Sequence, residues 1–546
     1  MTQLLDLTMG GLLDQVTAKH RDKEALVDLP SNTRLTYGQF LDQVNSLAKG
    51  LLHLGLRPGD HLALWAPNRP EWLICMFAAA KAGVVLTNLD TGLAKDQVQY
   101  LLADSNAKAL ILAPGIQGRE YLEAMEEICP EAARPHEGGL ECEDLPDLAH
   151  LILMDAQARP GMQSLTEVSA AGEPVLDQDL DQRQKHLSCH DVSSLIYTSG
   201  TTGAPKGVMV THYGLINVSL TSALNQGLGE EDRLCVSVPL SHMFGCICVA
   251  LTGISQGAAL VFPGPVPEPG TVLQAVEQER CTAIYGTPTS FLNMMEHPTY
   301  KDRDISSLRT GIMGGAVCPL ELMKRVVEEM GVRRILCGYG QTEASSWVTQ
   351  TSPQDPLELR VSTAGRALPG VELKVISPAS GAEVPPGEVG EVCARGFVMK
   401  GYYHLPAATA GAVDGGGWLH TGDLATLDEK GYMRISGRVK EAITKGNNTI
   451  FPSDVEEVLF THPKVLNAQV FAVPDPELGE EVAVWIKVVN GEKLTSEEVV
   501  DFCGQKLPAA LVPRYIKFVQ EFPMTPLGKI QKVKMSELYT AELDLN

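Results

Sequence analysis

The chain contains no CxxC pair: its twelve cysteines are scattered from Cys75 to Cys503. That excludes the zinc-ribbon and dithiol frameworks such pairs build, and the thiols read as reduced and mostly buried. Cationic side chains are also in short supply, with 44 Lys and Arg against 67 Asp and Glu and a net charge of -23. An acidic surface repels nucleic acid and anionic lipid, so neither is an expected partner. Anionic substrates must instead meet local lysines and arginines. The amino terminus, Met1-Thr-Gln-Leu-Leu-Asp6, lacks the basic stretch and apolar run of a secretory signal, which points to the cytoplasm. From Leu234 to Pro267 there is no Asp, Glu, Lys or Arg, yet Pro239, Ser241, His242, Gly245, Gly253 and Gln256 interrupt the run. Polar groups of this kind are costly in hydrocarbon, so a strand, a loop and a buried helix are expected there and a membrane span is not. Internal repeats and heptads are absent, and the sequence leaves a homo-oligomer open.

At 546 residues the chain exceeds what one core supports, so at least two domains are expected. Hydrophobic residues at 44% and charged residues at 20% are those of a folded globular protein. Amphipathic stretches alternate with β-branched runs: Trp72 to Ala82 reads as a helix, Gly83 as its stop and Val84-Val-Leu86 as the next strand. This alternation predicts an α/β fold, with mostly parallel sheets flanked by helices in a large domain over residues 1–436. The stretch from Pro130 to Pro146, with Glu141, Glu143 and Asp144, reads as a surface insertion. After Gly437 come a helix opening at Pro452 and apolar strands at Ala468 to Val473 and Glu481 to Val489. They predict a small α+β domain over residues 437–546.

The densest functional signal is Tyr197-Thr198-Ser199-Gly200-Thr201-Thr202-Gly203-Ala204-Pro205-Lys206-Gly207, directly after the apolar run Ser193-Ser-Leu-Ile. Glycines let backbone N–H groups turn toward an anion, and hydroxyls and one ammonium add donors, so the composition suits phosphate. The spacing is not that of a P-loop NTPase, because Lys206 precedes Gly207 rather than Ser or Thr. Taken alone, a Ser/Thr/Gly run is ordinarily a solvated turn.

The order of residues in this loop resembles the signature of the adenylate-forming superfamily, which includes acyl-CoA and aryl-CoA synthetases, luciferases and peptide-synthetase adenylation domains. Six further segments match in order. They are Pro239-Leu-Ser-His242-Met-Phe-Gly245, Met313-Gly-Gly-Ala316, Gly338-Tyr-Gly-Gln-Thr342-Glu343, Trp418 to Asp423, Gly437-Arg438-Val-Lys440 and Thr525-Pro-Leu-Gly-Lys529-Ile. The resemblance implies ATP as co-substrate, held by Thr198 to Gly203, Lys206, Ala316, Gly338, Tyr339, Gly340, Thr342, Asp423, Arg438 and Lys529. Glu343 would help hold Mg²⁺, Thr342 would contact phosphate and Tyr339 would lie beside adenine. Asp423 could accept hydrogen bonds from both ribose hydroxyls. Lys529 would be the catalytic lysine of a mobile C-terminal domain turning about Lys440, and Gly446 would line the channel of CoA, the thiol acceptor. Asn447 and Thr449 depart from the glycine and asparagine common there.

The chemistry can be stated without the family. A carboxylate is a poor acyl donor until one oxygen becomes part of a better leaving group, and an AMP ester supplies one, with pyrophosphate leaving. Bringing two anions together needs cations or preorganised donors. For the acid, His242 and Gly245 are expected at the pocket, with Gly314, Gly315 and Ala316 leaving room. The apolar Met243 and Phe244 suggest an apolar acid. Likeness of Thr211-His-Tyr-Gly214 and Glu391-Val-Cys-Ala-Arg-Gly396 to medium-chain fatty acyl-CoA synthetases makes a medium-chain fatty acid the first choice. An aryl-CoA ligase and a non-catalytic nucleotide-binding protein on the same fold are the rivals.

Overall fold

Gly83 stops a helix as its sequence requires: Pro70 opens the helix Pro70–Ala82, and Gly83, at φ 75°, ends it in the left-handed conformation that favours glycine. The next strand, Val85–Leu89, then runs parallel to His61–Trp65. This α/β unit repeats through the first part of the computed structural model, which describes residues 3–545 except 117, 135–139, 156, 199–203, 317, 447 and 525–529.

The described residues divide into two compact units, Met1–Glu372 with Ala394–Leu419 and Leu373–Cys393 with His420–Asn546. The first holds two large sheets. One has nine strands, with Ser346–Gln350, Arg334–Gln341, Thr310–Gly314 and Ala283–Gly286 side by side. The other has eight, beginning Gly401–Tyr402, Lys206–Thr211, Val192–Thr198 and Val85–Leu89. Most neighbours within them are parallel, and the strands are buried among helices, as expected from near-continuous apolar runs. Helix His212–Gln226 starts where Thr211 caps it, its hydroxyl accepting from Gly214 N–H, and stops at Gly227, φ 66°.

The charge-free segment forms the strand Arg233–Cys235, a π-helix over Phe244–Leu251 that continues as Thr252–Ser255, and the strand Ala259–Phe262. All eight π-helical residues are buried. Composition does not distinguish a π-turn from an α-turn, so that detail had no sequence signal. Among the described residues no helix is long and apolar enough to cross a membrane.

The second unit is α+β. A four-stranded sheet runs Glu372–Ile376, Gly390–Arg395, Leu419–Leu427 and Met433–Arg438. A second sheet pairs the long strands Val465–Asp475 and Gly479–Val488 and carries helix Pro452–Phe460 against Val465–Asp475. Ile443, Val455, Leu459, Val470, Val484 and Ile486 form its apolar centre. Gly437, at φ 141°, lies inside this unit, within the strand Met433–Arg438 and opposite Leu424.

Candidate functional site

Strands Val192–Thr198 and Lys206–Thr211 are antiparallel with Thr198 opposite Lys206, so the signature loop connects two strands of a hairpin. Its residues Ser199, Gly200, Thr201, Thr202 and Gly203 lie outside the described residues. Tyr197 anchors the entry by donating to Asp104 Oδ2 at 2.6 Å. Strand Lys206–Thr211 pairs on its other edge with Gly401–Tyr402, placing Val208 opposite Tyr402. The Lys206 ammonium sits 4.9 Å from the centre of the Tyr402 ring, a cation–π contact.

Tyr402 is also the partner of Glu343. Its hydroxyl donates to Glu343 Oε1 at 2.9 Å, and Met399 N–H donates to the Glu343 carbonyl at 2.7 Å. Lys206 and Glu343, both expected at the site, are therefore joined through a tyrosine that sequence reasoning missed. Burial, and then the Glu343 carboxylate, hold the Tyr402 phenol above its ordinary range, so it stays a donor.

Glu343 is presented by a tight reversal. Strand Arg334–Gln341 carries Gly338, Tyr339 and Gly340 and ends in a single 3₁₀ turn, Thr342–Ala344. Ser345 at φ 55° and Ser346 at φ 116° then return the chain into Ser346–Gln350. Positive φ in two non-glycine residues costs on the order of 1 kcal/mol or more each, a cost often found where a side chain must be aimed. Close packing makes Gly340 obligatory: a Cβ there would lie 1.8 Å from the Ser346 carbonyl oxygen. Thr342 is buried. Gln341 Nε2, Ser345 Oγ and Trp347 Nε1 are buried and have no hydrogen-bond partner among the described residues. Three such atoms around one turn leave donors unsatisfied, each at a cost of about 1–3 kcal/mol.

Gly314, expected at the acid pocket, is paired with Gly338 across parallel strands. A Cβ on either would come within 3.0 Å of the Trp347 indole. The room expected beside Gly314 is thus filled by Trp347, while Gly315, φ 81°, and Ala316 are exposed. Trp347 meets Phe244 edge to face, centroids 5.5 Å apart at 81°. His242 Nδ1 accepts from Phe244 N–H at 3.1 Å as the π-helix opens. Gly245 is required by packing, since a Cβ would meet the Pro239 carbonyl oxygen at 2.1 Å.

The second unit holds the remaining predicted residues. Asp423 and Arg438 are opposite each other on antiparallel strands, and Arg438 Nε lies 3.0 Å from Asp423 Oδ1. The Asp423 side chain is 9% exposed and that of Arg438 51% exposed. Glu391 shapes this place: its Oε1 accepts from Gly422 N–H at 3.1 Å, and its Oε2 lies 3.2 Å from His420 Nδ1. Gly422, at φ 71° within strand Leu419–Leu427, takes up the left-handed conformation directly before Asp423. Lys440 is exposed in a 3₁₀ turn, Val439–Glu441. Gly446, at φ 59°, donates its N–H to the Leu478 carbonyl. Asn447 lies outside the described residues, and Thr449 belongs to strand Asn448–Ile450. Lys529 also lies outside them, but the ends of its loop are held: Met524 bridges Ile530, and Gln531 N–H donates to the Pro523 carbonyl at 2.9 Å.

Comparison with known proteins places these features. Residues 13–403 match the AMP-binding enzyme family, and residues 454–529 match the AMP-binding enzyme C-terminal domain. A Bacillus subtilis (strain 168) protein named "Putative acyl-CoA synthetase YngI" is 43% identical over 540 residues, covering 98% of each chain. The medium-chain acyl-CoA ligase ACSF2, mitochondrial, of Macaca fascicularis is 36% identical, over 99% of this chain and 88% of its own. The crystal structure of the anthranilate CoA ligase AuaEII in complex with anthranoyl-AMP superposes with a TM-score of 0.85 at 26% identity, covering 99% of both chains.

Proposed function

The chain belongs to the AMP-binding enzyme family, and from that premise we propose that it is an ATP-dependent, AMP-forming ligase joining a medium-chain fatty acid to CoA. The observation that carries the reading is the Lys206–Tyr402–Glu343 arrangement, which sets a cation and a carboxylate around one tyrosine beside the signature loop.

In the first half-reaction a carboxylate oxygen of the acid attacks the α-phosphorus of ATP and pyrophosphate leaves. In the second, the CoA sulfur attacks the carbonyl carbon of the acyl-adenylate and AMP leaves. Lys206 and the loop's backbone donors neutralise phosphate charge. Asp423, nearly buried and paired through Oδ1 with Arg438, is the proposed acceptor for a ribose hydroxyl. Lys529 approaches the carboxylate and α-phosphate in adenylation and withdraws for thioester formation, so one lysine serves one half-reaction. Lys440 is the proposed hinge, and Gly446 the proposed wall of the pantetheine channel.

The residues present fit Mg²⁺. Tyr402 occupies Glu343 Oε1, which leaves Oε2 for a hard cation, and Thr342 adds a neighbouring hydroxyl. When bound, Mg²⁺ supplies charge neutralisation at the phosphates.

An apolar wall of Trp347, Phe244 and the π-helix suits an apolar acid. Its two aromatic rings also favour an aryl acid as the second reading. Location in the cytoplasm accords with twelve free thiols, which a reducing compartment maintains. The test is CoA-dependent AMP release, with pyrophosphate followed in parallel, across short, medium and long straight-chain acids and substituted benzoates. Preference for medium-chain acids supports the proposal, preference for benzoates selects the aryl reading, and ATP binding without either product defeats both.

A further inference from the structure

The surface insertion from Pro130 to Pro146 has one thiol, Cys129, directly before it and a second, Cys142, in its returning limb. Helix Tyr121–Ile128 ends at Cys129, whose N–H donates to the Met125 carbonyl at 2.8 Å. A 3₁₀ turn, Pro130–Ala133, follows and carries Glu131. The returning segment is tied back by Leu140 N–H to the Ala149 carbonyl and holds Cys142. Both cysteines are buried, at 0% and 5% exposure, whereas Glu131 is exposed. The two sulfurs and one Glu131 oxygen all lie within 4.8 Å of one another, with Cys129 Sγ 3.5 Å from Glu131 Oε2.

We propose that Cys129, Glu131 and Cys142 form a binding site for a thiophilic divalent cation of the zinc class, which clasps the start of the insertion to its returning limb. The spacing is the argument. Tetrahedral zinc, with bonds of about 2.3 Å to sulfur and about 2.0 Å to oxygen, needs a sulfur–oxygen edge of about 3.5 Å and a sulfur–sulfur edge of about 3.8 Å. The first edge is present and the second fits within the observed limit. Two thiolates and one carboxylate select zinc over magnesium or calcium, which prefer oxygen donors alone. Exposed Glu131 leaves an entry path and a fourth position for water.

A second trio, Glu391, Cys393 and His420, has similar spacing. Both oxygens of its carboxylate are already engaged, Oε1 with Gly422 N–H and Oε2 with His420 Nδ1, so it serves as the internal control. Two other arrangements would account for the first trio without a metal: a thiol donating to Glu131, or a Cys129–Cys142 disulfide.

The test titrates zinc into the reduced protein against a chromophoric chelator. One equivalent per chain is expected, lost in Cys129→Ser and Cys142→Ser, weakened in Glu131→Gln and retained in Cys393→Ser. Uptake insensitive to Cys129 and Cys142, or lost with Cys393, overturns the proposal. Because substitution of buried cysteines can disturb folding, the unaltered protein is also loaded with Co²⁺. A thiolate-to-cobalt charge-transfer band supports the site. Absence of that band, or conversion of the pair to a disulfide with no metal taken up, overturns it.

Discussion

The Tyr402 hydroxyl reaches Glu343 Oε1 at 2.9 Å while its ring faces the Lys206 ammonium at 4.9 Å, so one side chain organises both charges of the proposed phosphate site. Tyr402→Phe keeps the ring and removes the donor. A hydrogen bond to a charged group contributes about 1.5–3 kcal/mol, so pyrophosphate release should fall roughly tenfold or more with little change in Tm. Unaltered turnover would remove Tyr402 from the proposed machinery.

Trp347 fills the space beside Gly314 and Gly338. Trp347→Leu empties part of it without the full cavity of an alanine. Each methylene in an apolar pocket is worth about 1–3 kcal/mol, so kcat/KM should shift toward longer acids by roughly tenfold relative to the parent's best acid. An unchanged chain-length profile would place the acid elsewhere.

Asp423→Ala should weaken ATP binding by about 1.5 kcal/mol or more, roughly tenfold, as a lost hydrogen bond to a buried carboxylate. Its partner Arg438 is half-exposed, and breaking exposed ion pairs alters stability little. Calorimetric titration with ATP checks the assignment, and an unchanged affinity would end it.

Lys529→Ala should nearly abolish formation of the acyl-adenylate and spare thioester formation from supplied acyl-adenylate. Measured separately, equal losses in both half-reactions would contradict a lysine that serves only one.

His212 should make stability depend on pH. It is buried, its Nδ1 accepts from Met9 N–H at 3.3 Å, and burial lowers its pKa from 6.5 to about 4. The unfolded chain then binds the proton more readily than the folded one between those values. Stability is full above the unfolded pKa near 6.5 and declines as pH falls toward 4, by about 3 kcal/mol in total. His212→Asn keeps an acceptor and does not titrate. Urea melts at neutral and acidic pH should show a shallower decline in this variant, and identical declines would count against the assignment.

How much of the site was legible follows from sequence distance. Thr198 and Lys206, or Gly338 to Glu343, lie in single short segments, and local chemistry marks them: glycines for close approach, hydroxyls and one charge for phosphate. Tyr402 is 59 residues from Glu343 and stands in a plain Gly-Tyr-Tyr run, so nothing near it announces a partner. Trp347 lies only four residues beyond Glu343, yet its effect depends on Gly314, two strands away in the sheet.

By itself the sequence determined the α/β class and the family, and it singled out the Gly-rich loop and the aspartate and arginine of the second unit as candidates, because each rests on local periodicity or on residues in one short segment. Tertiary structure alone decided that Asp423 faces Arg438, that Tyr402 holds Glu343 and that Trp347 closes the wall beside Gly314. Those relations depend on strand register and sheet order, which bring together side chains that no sequence spacing connects.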